Sequence, residues 1–214
     1  MSRNGWIIAI VILICFIKMF SHEPAPSTTT TTTINDNNGA EPKVNGYYYY
    51  HENSKVPKDY YIKPKKPIAQ TYPRLKQAIM GGVIRPYELD IYDCSEMSAY
   101  MEWKLENLGF NATICRTDNF LGSGTGHAWI RVNLEHTKPC YVETTALSNT
   151  IGVPYGTIIR GNDKDAEQYE NYSRYDEIYD NIYGLTANRQ ISEYDWWNSV
   201  NFSKEANTIR KRDS

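Results

Sequence analysis

The sequence predicts an α+β domain preceded by an N-terminal apolar segment. Start and stop residues in the sequence predict a helix that begins at Asp93 and ends at Gly109. Three strand candidates follow it, at 111–117, 127–134 and 140–145. The turns between these strands are short, so we expect antiparallel neighbours. The predicted architecture is therefore a helix packed on an antiparallel sheet.

The composition fits one such domain with additional chain. The protein has 214 residues and a formal net charge of −2, which argues against a nucleic-acid binder with its concentrated basic field. Eighteen Tyr, five Trp and five Phe supply enough apolar surface for a core and exclude full-length disorder. Four cysteines with no C-x-x-C pair exclude a disulfide scaffold and disfavour a zinc finger.

Residues 1–20 predict a membrane anchor or an export signal. Arg3 lies in a short lead before an apolar run from Trp6 to Phe20, which Lys18 interrupts. As a helix the run spans about 22 Å, less than the ~30 Å hydrocarbon core, and this shortness favours a cleaved signal peptide. However, no good cleavage site follows, and Lys18 can extend to the headgroups. We expect an uncleaved single-pass anchor with the C-terminal domain outside; a protein secreted after signal cleavage is the alternative.

The rest of the chain is predicted to contain a stalk, a domain and a tail. Residues 21–45 are rich in Thr and Asn and can bury almost no apolar area, which predicts a disordered stalk. Residues 46–205 form the predicted domain, and its Pro-rich beginning should wrap the domain surface. Residues 206–214 form a basic tail.

Local signals predict the elements of the domain. A short helix is expected over 74–80, and a tyrosine-striped helix over 165–183 is expected to serve packing. Asp93 and Glu96 have the spacing of a capping box for the main helix. Its apolar side chains at helical spacing are Met97, Met101, Leu105 and Leu108. The strand at 127–134 alternates, with Ala128, Ile130, Val132 and Leu134 on one side and His127, Trp129 and Arg131 on the other.

Cys94 is a candidate nucleophile because it lies in the first turn of the main helix. Unpaired backbone N–H groups and the positive end of the helix dipole favour a thiolate there. A thiolate is the reactive form of cysteine, and a neighbouring histidine usually completes its activation. The alternative is a buried, inert cysteine, which is the commoner situation.

His127 and Glu143 supply the partners that such a cysteine needs. His127 opens a strand directly after the Gly-rich segment 122–126, which lacks the Gly-Lys-Ser/Thr of a phosphate-binding loop and predicts a hairpin tip beside a cleft. Glu143 on the next strand can accept a hydrogen bond from the ring and hold its tautomer. A structural histidine and a surface carboxylate are the alternatives. The order of Cys94, His127 and Glu143 along these elements favours the catalytic interpretation.

These residues carry a specific resemblance. Asp93-Cys94-Ser95 with its helix, then His127-Ala128-Trp129-Ile130-Arg131-Val132, then Tyr141-Val142-Glu143-Thr144-Thr145, resembles the transglutaminase-like superfamily over about residues 90–147. The resemblance implies a papain-like core and a Cys-His-Asp triad acting on amide bonds, with no metal or cofactor. It implies that Cys94 is the nucleophile, His127 the general base and acid, and Glu143 the orienting carboxylate. Glu143 departs from the usual Asp and is one methylene longer.

Two further features remain open on the sequence alone. Cys115 and Cys140 lie on the outer two strand candidates, about 9–10 Å apart if the middle strand separates them, which is too far for a disulfide. A zinc site of Cys94, His127 and Cys140 is an alternative without the usual spacing of ligand pairs. The Cys94 amide is a natural oxyanion donor, whereas the sequence identifies no second one.

We therefore expect an extracytoplasmic thiol enzyme that cleaves or transfers amide bonds through an acyl-thioester on Cys94. Its substrate is expected to be a protein, a peptide or a cell-wall amide. The alternative is a non-catalytic surface module of the same fold that binds peptide or cell-wall polymer. The substituted carboxylate, the stalk and the many tyrosines favour that alternative.

Overall fold

The computed structural model of the chain describes residues 40–44, 47–50, 56–62, 64, 68–148, 152–175, 177–189, 196–199 and 201–213. All of them belong to one compact unit, Gly39–Ser214. The predicted membrane segment at 1–20 lies outside the described residues. Among the helices that are described, none has the length and apolar character needed to cross a membrane.

In the described part of the chain, seven strands form one sheet. They are β1 (Ala40–Val44), β2 (Tyr47–Tyr50), β3 (Asn111–Thr117), β4 (His127–Asn133), β5 (Cys140–Val142), β6 (Ile158–Arg160) and β7 (Glu177–Tyr179). Their order across the sheet is β1-β2-β7-β3-β4-β5-β6. The pair β2–β7 is parallel, and every other neighbouring pair is antiparallel. The predicted α+β class is confirmed, with a predominantly antiparallel sheet.

Helices cover both faces of this sheet. They are α1 (Tyr72–Ile79), α2 (Cys94–Asn107), α3 (Ala166–Tyr175), α4 (Ile182–Asn188), α5 (Trp196–Ser199) and α6 (Phe202–Asp213). The helix α2 packs against β3 and β4, whereas α3 contacts β3 and β5. The predicted main helix is therefore α2.

The ends of α2 are determined by the local signals expected from the sequence. Asp93 accepts a hydrogen bond from the Ser95 amide at 2.9 Å, and Glu96 accepts one from the Asp93 amide at 3.1 Å, completing the capping box. At the other end Gly109 has a φ of +90°, a left-handed conformation that glycine adopts without strain. The cap therefore determines the position of the first helical residue, Cys94.

The helix α2 lies in the middle of the molecule. Twelve of its fourteen residues are buried. The Pro-rich arm before α1 is attached to it, because the Trp103 indole donates to the Tyr60 carbonyl at 2.7 Å and Asn107 accepts from the Ile62 amide at 2.8 Å. Burial on all sides restrains the helix, so the cysteine at its first turn has a well-defined position.

The sheet has an apolar core on each face. The alternation predicted for β4 is observed, since Ile130 and Val132 pack in the core that contains α2. Trp129 points to the other face, where Tyr141 and Ile178 of neighbouring strands and Tyr169 of α3 complete a second core. Residues of β4 and β5 with odd numbers therefore face α3.

The single helix predicted over 165–183 is wrong. The structure divides that segment into α3, β7 and α4. Ile178 and Tyr179 are buried and pair with β3. This pairing provides hydrogen-bond partners for backbone groups along an edge of β3 that would otherwise be unpaired. Tertiary pairing thus overrides the helical spacing of the tyrosines, which are also favourable strand residues. Asn181 then starts α4 by accepting a hydrogen bond from the Gly184 amide at 3.0 Å.

Two observed elements extend into segments predicted as stalk and tail. The strand β1 falls within residues 21–45, which were assigned to the stalk, and it pairs with the tyrosine run of β2. The helix α6 continues to Asp213, through most of the predicted basic tail at 206–214. The division of the chain into anchor, stalk, domain and tail stays a prediction.

Candidate active site

Cys94 is the first residue of α2 and is partly exposed. The capping bonds engage the amides of Asp93 and Ser95 and leave the Cys94 amide outside the cap. A thiol at this position therefore lies at the positive end of a fourteen-residue helix.

His127 is the first residue of β4, where it pairs with Thr117 of β3. The Phe120 ring lies 4.4 Å from the imidazole centroid, and the Trp129 indole stacks at 5.9 Å. Phe120 begins a 3₁₀ turn, Phe120–Gly122, and its amide donates to the Thr125 carbonyl at 2.9 Å. The Gly-rich segment is thus the tip of the β3–β4 hairpin, as predicted, and Phe120 covers one side of the histidine.

Glu143 follows β5 directly. The predicted strand at 140–145 ends at Val142, because the chain turns into a 3₁₀ segment, Thr144–Leu147. The Glu143 amide still donates to the Thr157 carbonyl at 2.9 Å, so the carboxylate starts from a fixed backbone position. The turn is also attached to α2, since the hydroxyls of Ser98 and Thr144 lie 3.0 Å apart.

The imidazole and the carboxylate are in direct contact. The Nε2 atom of His127 lies 2.9 Å from one Glu143 oxygen and 3.2 Å from the other. The two side chains are only 11% and 9% exposed, so solvent screens their attraction weakly. The extra methylene of glutamate does not prevent this contact.

The same ring also meets the thiol. The Cys94 thiol interacts with His127 and is one of the groups that raise its pKa. Because Glu143 occupies Nε2, Nδ1 is the nitrogen that remains for the sulfur. Burial alone would lower the His127 pKa, but the Glu143 charge and the hydrogen bonds to both partners raise it well above its ordinary value of 6.5. The three predicted residues therefore converge on one site.

Tyr169 of α3 is a further member of the site that the sequence does not identify. It stacks on Tyr141, two residues before Glu143, and its hydroxyl interacts with the Glu143 carboxylate. Burial, followed by the Glu143 charge and this interaction, raises the Tyr169 pKa well above 10, so the hydroxyl keeps its proton and is the donor. In the sequence Tyr169 is one tyrosine of a regular stripe, and no local signal distinguishes it from its neighbours.

The other described cysteines are separate from this site. Cys115 pairs with Trp129 and Cys140 pairs with Val132, so β4 lies between them as expected. They also belong to cores on opposite faces of the sheet, and both are free. Burial raises the pKa of the Cys115 thiol to about 12.

The zinc alternative is not supported by the fold. Cys140 lies opposite Val132, five residues along β4 from His127, a separation of roughly 16 Å at the rise of a strand. Within the part of the chain that is described, no group of three or more His, Cys, Asp or Glu side chains is placed to hold a metal ion.

Exposed apolar side chains lie just before the cysteine. Glu88 and Tyr92 exchange backbone hydrogen bonds of 3.1 and 2.8 Å and close a tight turn. Leu89 and Ile91 on this turn are each 39% exposed. Ile91 precedes Cys94 by three residues, so its Cα lies within about 11 Å of the cysteine Cα. The turn is therefore close to Cys94 along the chain.

No protein-family model matches the chain, and no solved structure matches it. An uncharacterized protein from Methanocaldococcus jannaschii is 29% identical to the chain over 167 residues. That match covers 67% of this chain and 66% of the relative, so the chain spans just under two thirds of the relative's length. The name of that relative describes no activity.

Proposed function

We propose that the protein is a thiol enzyme that cleaves or transfers amide bonds through an acyl-thioester on Cys94. One observation carries the proposal: His127 contacts Glu143 through Nε2 at 2.9 Å and also interacts with Cys94 at the start of α2. This arrangement supports the resemblance to the transglutaminase-like superfamily, which is part of the proposal. An extracytoplasmic location, with the chain anchored through residues 1–20, is a further part that depends on the sequence alone.

The first half-reaction forms the acyl-enzyme. His127 takes the proton of the Cys94 thiol, and the resulting thiolate attacks the carbonyl carbon of the amide. The Cys94 amide lies at the helix start, where it can donate to the developing oxyanion. The imidazolium then protonates the leaving nitrogen, the C–N bond breaks, and an amine departs from the thioester.

The second half-reaction releases the acyl group. His127, neutral again, accepts a proton from an incoming water or amine as that group attacks the thioester carbonyl. The C–S bond breaks and the imidazolium returns its proton to the sulfur. Water gives a carboxylic acid and an amine gives a new amide, so one site supports both hydrolysis and transfer.

Glu143 supports both steps through His127. It accepts a hydrogen bond from Nε2, which leaves Nδ1 directed at the sulfur and stabilises the imidazolium when it forms. A positioned acid-base group of this kind contributes on the order of 10²- to 10⁴-fold to rate.

The test is site-resolved alkylation with iodoacetamide, read by mass spectrometry between pH 5 and pH 8. We expect Cys94 to react at least tenfold faster than Cys115, whose raised pKa leaves almost no thiolate at these pH values. His127→Ala should abolish the advantage of Cys94. Amide turnover is then measured on peptide libraries with Cys94→Ser as the blank.

Equal alkylation of Cys94 and Cys115, unchanged by His127→Ala, would refute the proposal. A reactive Cys94 with no turnover, together with peptide or cell-wall binding that Cys94→Ser retains, would instead support the non-catalytic module. Turnover by the parent protein would exclude that module.

A further inference from the structure

We propose that Tyr169 is a positioning residue for Glu143, whose carboxylate it holds against the His127 ring by donating a hydrogen bond. This inference rests on the proposed function for its effect on rate. Its effect on His127 can be measured without any turnover.

The ring of Tyr169 is itself firmly held. The side chain is 2% exposed and lies between α3 and the sheet. Its ring stacks on Tyr141 at 5.5 Å with an interplanar angle of 23°, meets Trp129 edge-on at 5.7 Å and lies 6.0 Å from Phe120. Trp129 and Phe120 also contact the His127 ring, at 5.9 and 4.4 Å. The same aromatic cluster therefore fixes both the tyrosine and the histidine.

Glu143 needs a second partner more than an aspartate would. Its side chain has one more rotatable bond, and each additional torsion offers about three staggered positions that ordering must eliminate. His127 approaches both carboxylate oxygens with a single nitrogen, at 2.9 and 3.2 Å, and this contact alone does not select one orientation of the carboxylate. An ionised carboxylate accepts about four hydrogen bonds, so there is room for the tyrosine hydroxyl beside the imidazole.

The two donors approach Glu143 from different elements. His127 belongs to β4, and Tyr169 belongs to α3, which packs on the face of the sheet that odd-numbered residues of β4 and β5 share. Fixed donors on two elements define the carboxylate position more narrowly than either does alone. A carboxylate held in this way directs Nδ1 of the ring at Cys94 throughout the reaction.

The experiment compares Tyr169→Phe with Tyr141→Phe. Both remove one hydroxyl from a buried ring of the same stack, but the group with which the Tyr141 hydroxyl interacts is Arg131. The rate of Cys94 alkylation by iodoacetamide should fall about tenfold in Tyr169→Phe, the size expected for one hydrogen bond to a charged group, and stay within about twofold in Tyr141→Phe. Unfolding midpoints in urea check that both variants fold.

A second measurement separates positioning from packing. In a Glu143→Gln background, Tyr169→Phe should produce no further change in the alkylation rate, because the carboxylate through which it acts is absent.

The pH titration of the His127 ring by NMR should move to lower pH in Tyr169→Phe, since a loosened carboxylate stabilises the imidazolium less. The titratable groups facing this ring are Cys94 of α2 and Glu143 after β5.

The outcomes distinguish the two proposals. Suppose that His127→Ala slows the alkylation of Cys94, while Tyr169→Phe has the parent's alkylation rate and the parent's His127 titration. The positioning role is then overturned, and the proposal of a thiol enzyme stands. If Cys94 is unreactive in the parent but Tyr169→Phe still moves the His127 titration, the positioning role stands and the thiol enzyme fails. If the alkylation rate falls equally in Tyr169→Phe and Tyr141→Phe, the positioning role is also overturned, because the fall then comes from altered packing of the aromatic rings.

Discussion

Two buried glutamates in this protein have similar partners and opposite electrostatic surroundings. Glu102 of α2 accepts a hydrogen bond from the Tyr61 hydroxyl at 2.5 Å, just as Glu143 accepts one from Tyr169. Glu143 also faces the imidazole of His127. Glu102 has instead the negative charges of Glu106 and Asp180 nearby.

The pKa shifts at the two sites reflect this difference in surroundings. Burial, together with the two neighbouring carboxylates, raises the pKa of Glu102 well above 4.5 against the opposing effect of the Tyr61 hydrogen bond. At Glu143 the interaction with the carboxylate raises the pKa of the partner, His127. A tyrosine partner thus occurs in two different surroundings, beside other carboxylates at Glu102 and beside an imidazole at Glu143.

The largest expected effect comes from removing the charge of Glu143. Glu143→Gln keeps the side-chain length but stabilises the imidazolium far less. We expect the turnover rate to fall on the order of 10²- to 10⁴-fold, with a smaller change in substrate binding. Steady-state kinetics and the pH profile of Cys94 alkylation measure this. An unchanged rate in Glu143→Gln would show that the carboxylate has no part in the reaction.

Glu143→Asp sharpens the same comparison, because it restores the residue usual in the family that the chain resembles. The side chain becomes shorter by one methylene, about 1.5 Å, while Glu143 in this protein contacts Nε2 at 2.9 Å. The shorter carboxylate should lose either His127 or Tyr169, so we expect a rate between those of the parent and Glu143→Gln. Activity above that of the parent would mean that glutamate orients His127 less well than aspartate does at this position.

Glu102→Gln tests the other half of the comparison, and its effect should appear in stability. A carboxyl group whose pKa is raised on folding stabilises the protein fully below its unfolded value of 4.5. This contribution is lost as the pH rises towards the folded-state pKa. The parent should therefore lose about 1.4 kcal/mol per pH unit relative to Glu102→Gln over this range.

Urea unfolding of both proteins at several pH values from 4 to 8 measures the difference. His127 is present in both proteins. The stability that each protein loses through His127 as the pH rises is therefore the same and cancels in the comparison. Cys94 alkylation should be the same in both at every pH, since Glu102 is fully buried two turns of α2 away from the cysteine. Parallel stability curves would mean that Glu102 is ionised in the folded protein.

The parts of the fold that local signals determine were predictable. The capping box at Asp93, the helix stop at Gly109 and the alternation of β4 each depend on residues close in sequence, and each is observed. Since these signals locate Cys94 at a helix start and His127 at a strand start, the order of the site residues follows from them. The sequence could not show that the two elements meet, because that depends on packing between α2 and the sheet.

The parts that depend on long-range pairing were not predictable. The strand β7 consists of three residues within a helical pattern, and it exists because Ile178 and Tyr179 complete the edge of β3. The end of β5 at Val142 likewise depends on the turn bound to α2 and to Thr157. Tyr169 reaches Glu143 because α3 packs across the second face of the sheet, which no spacing in the sequence indicates.

The smallest expected effect concerns the contact that joins α2 to the turn after Glu143. Ser98 lies one turn after Cys94, and its hydroxyl is 3.0 Å from that of Thr144, both in fully buried side chains. Ser98→Ala leaves the Thr144 hydroxyl without this partner, which should cost about 1–3 kcal/mol in the free energy of unfolding. The backbone bond from Glu143 to Thr157 remains, so we expect the turnover rate to fall no more than about threefold.

The matched control is the double variant Ser98→Ala, Thr144→Val, which replaces both hydroxyls by apolar groups. Removing both partners avoids the unpaired buried hydroxyl, so stability should recover most of the loss measured in Ser98→Ala. If the double variant recovers stability but not turnover, the hydroxyl pair positions Glu143 as well as stabilising the fold. If Ser98→Ala alone reduces turnover as strongly as Glu143→Gln, the attachment of the turn to α2 controls the carboxylate more than its own hydrogen bonds to His127 and Tyr169.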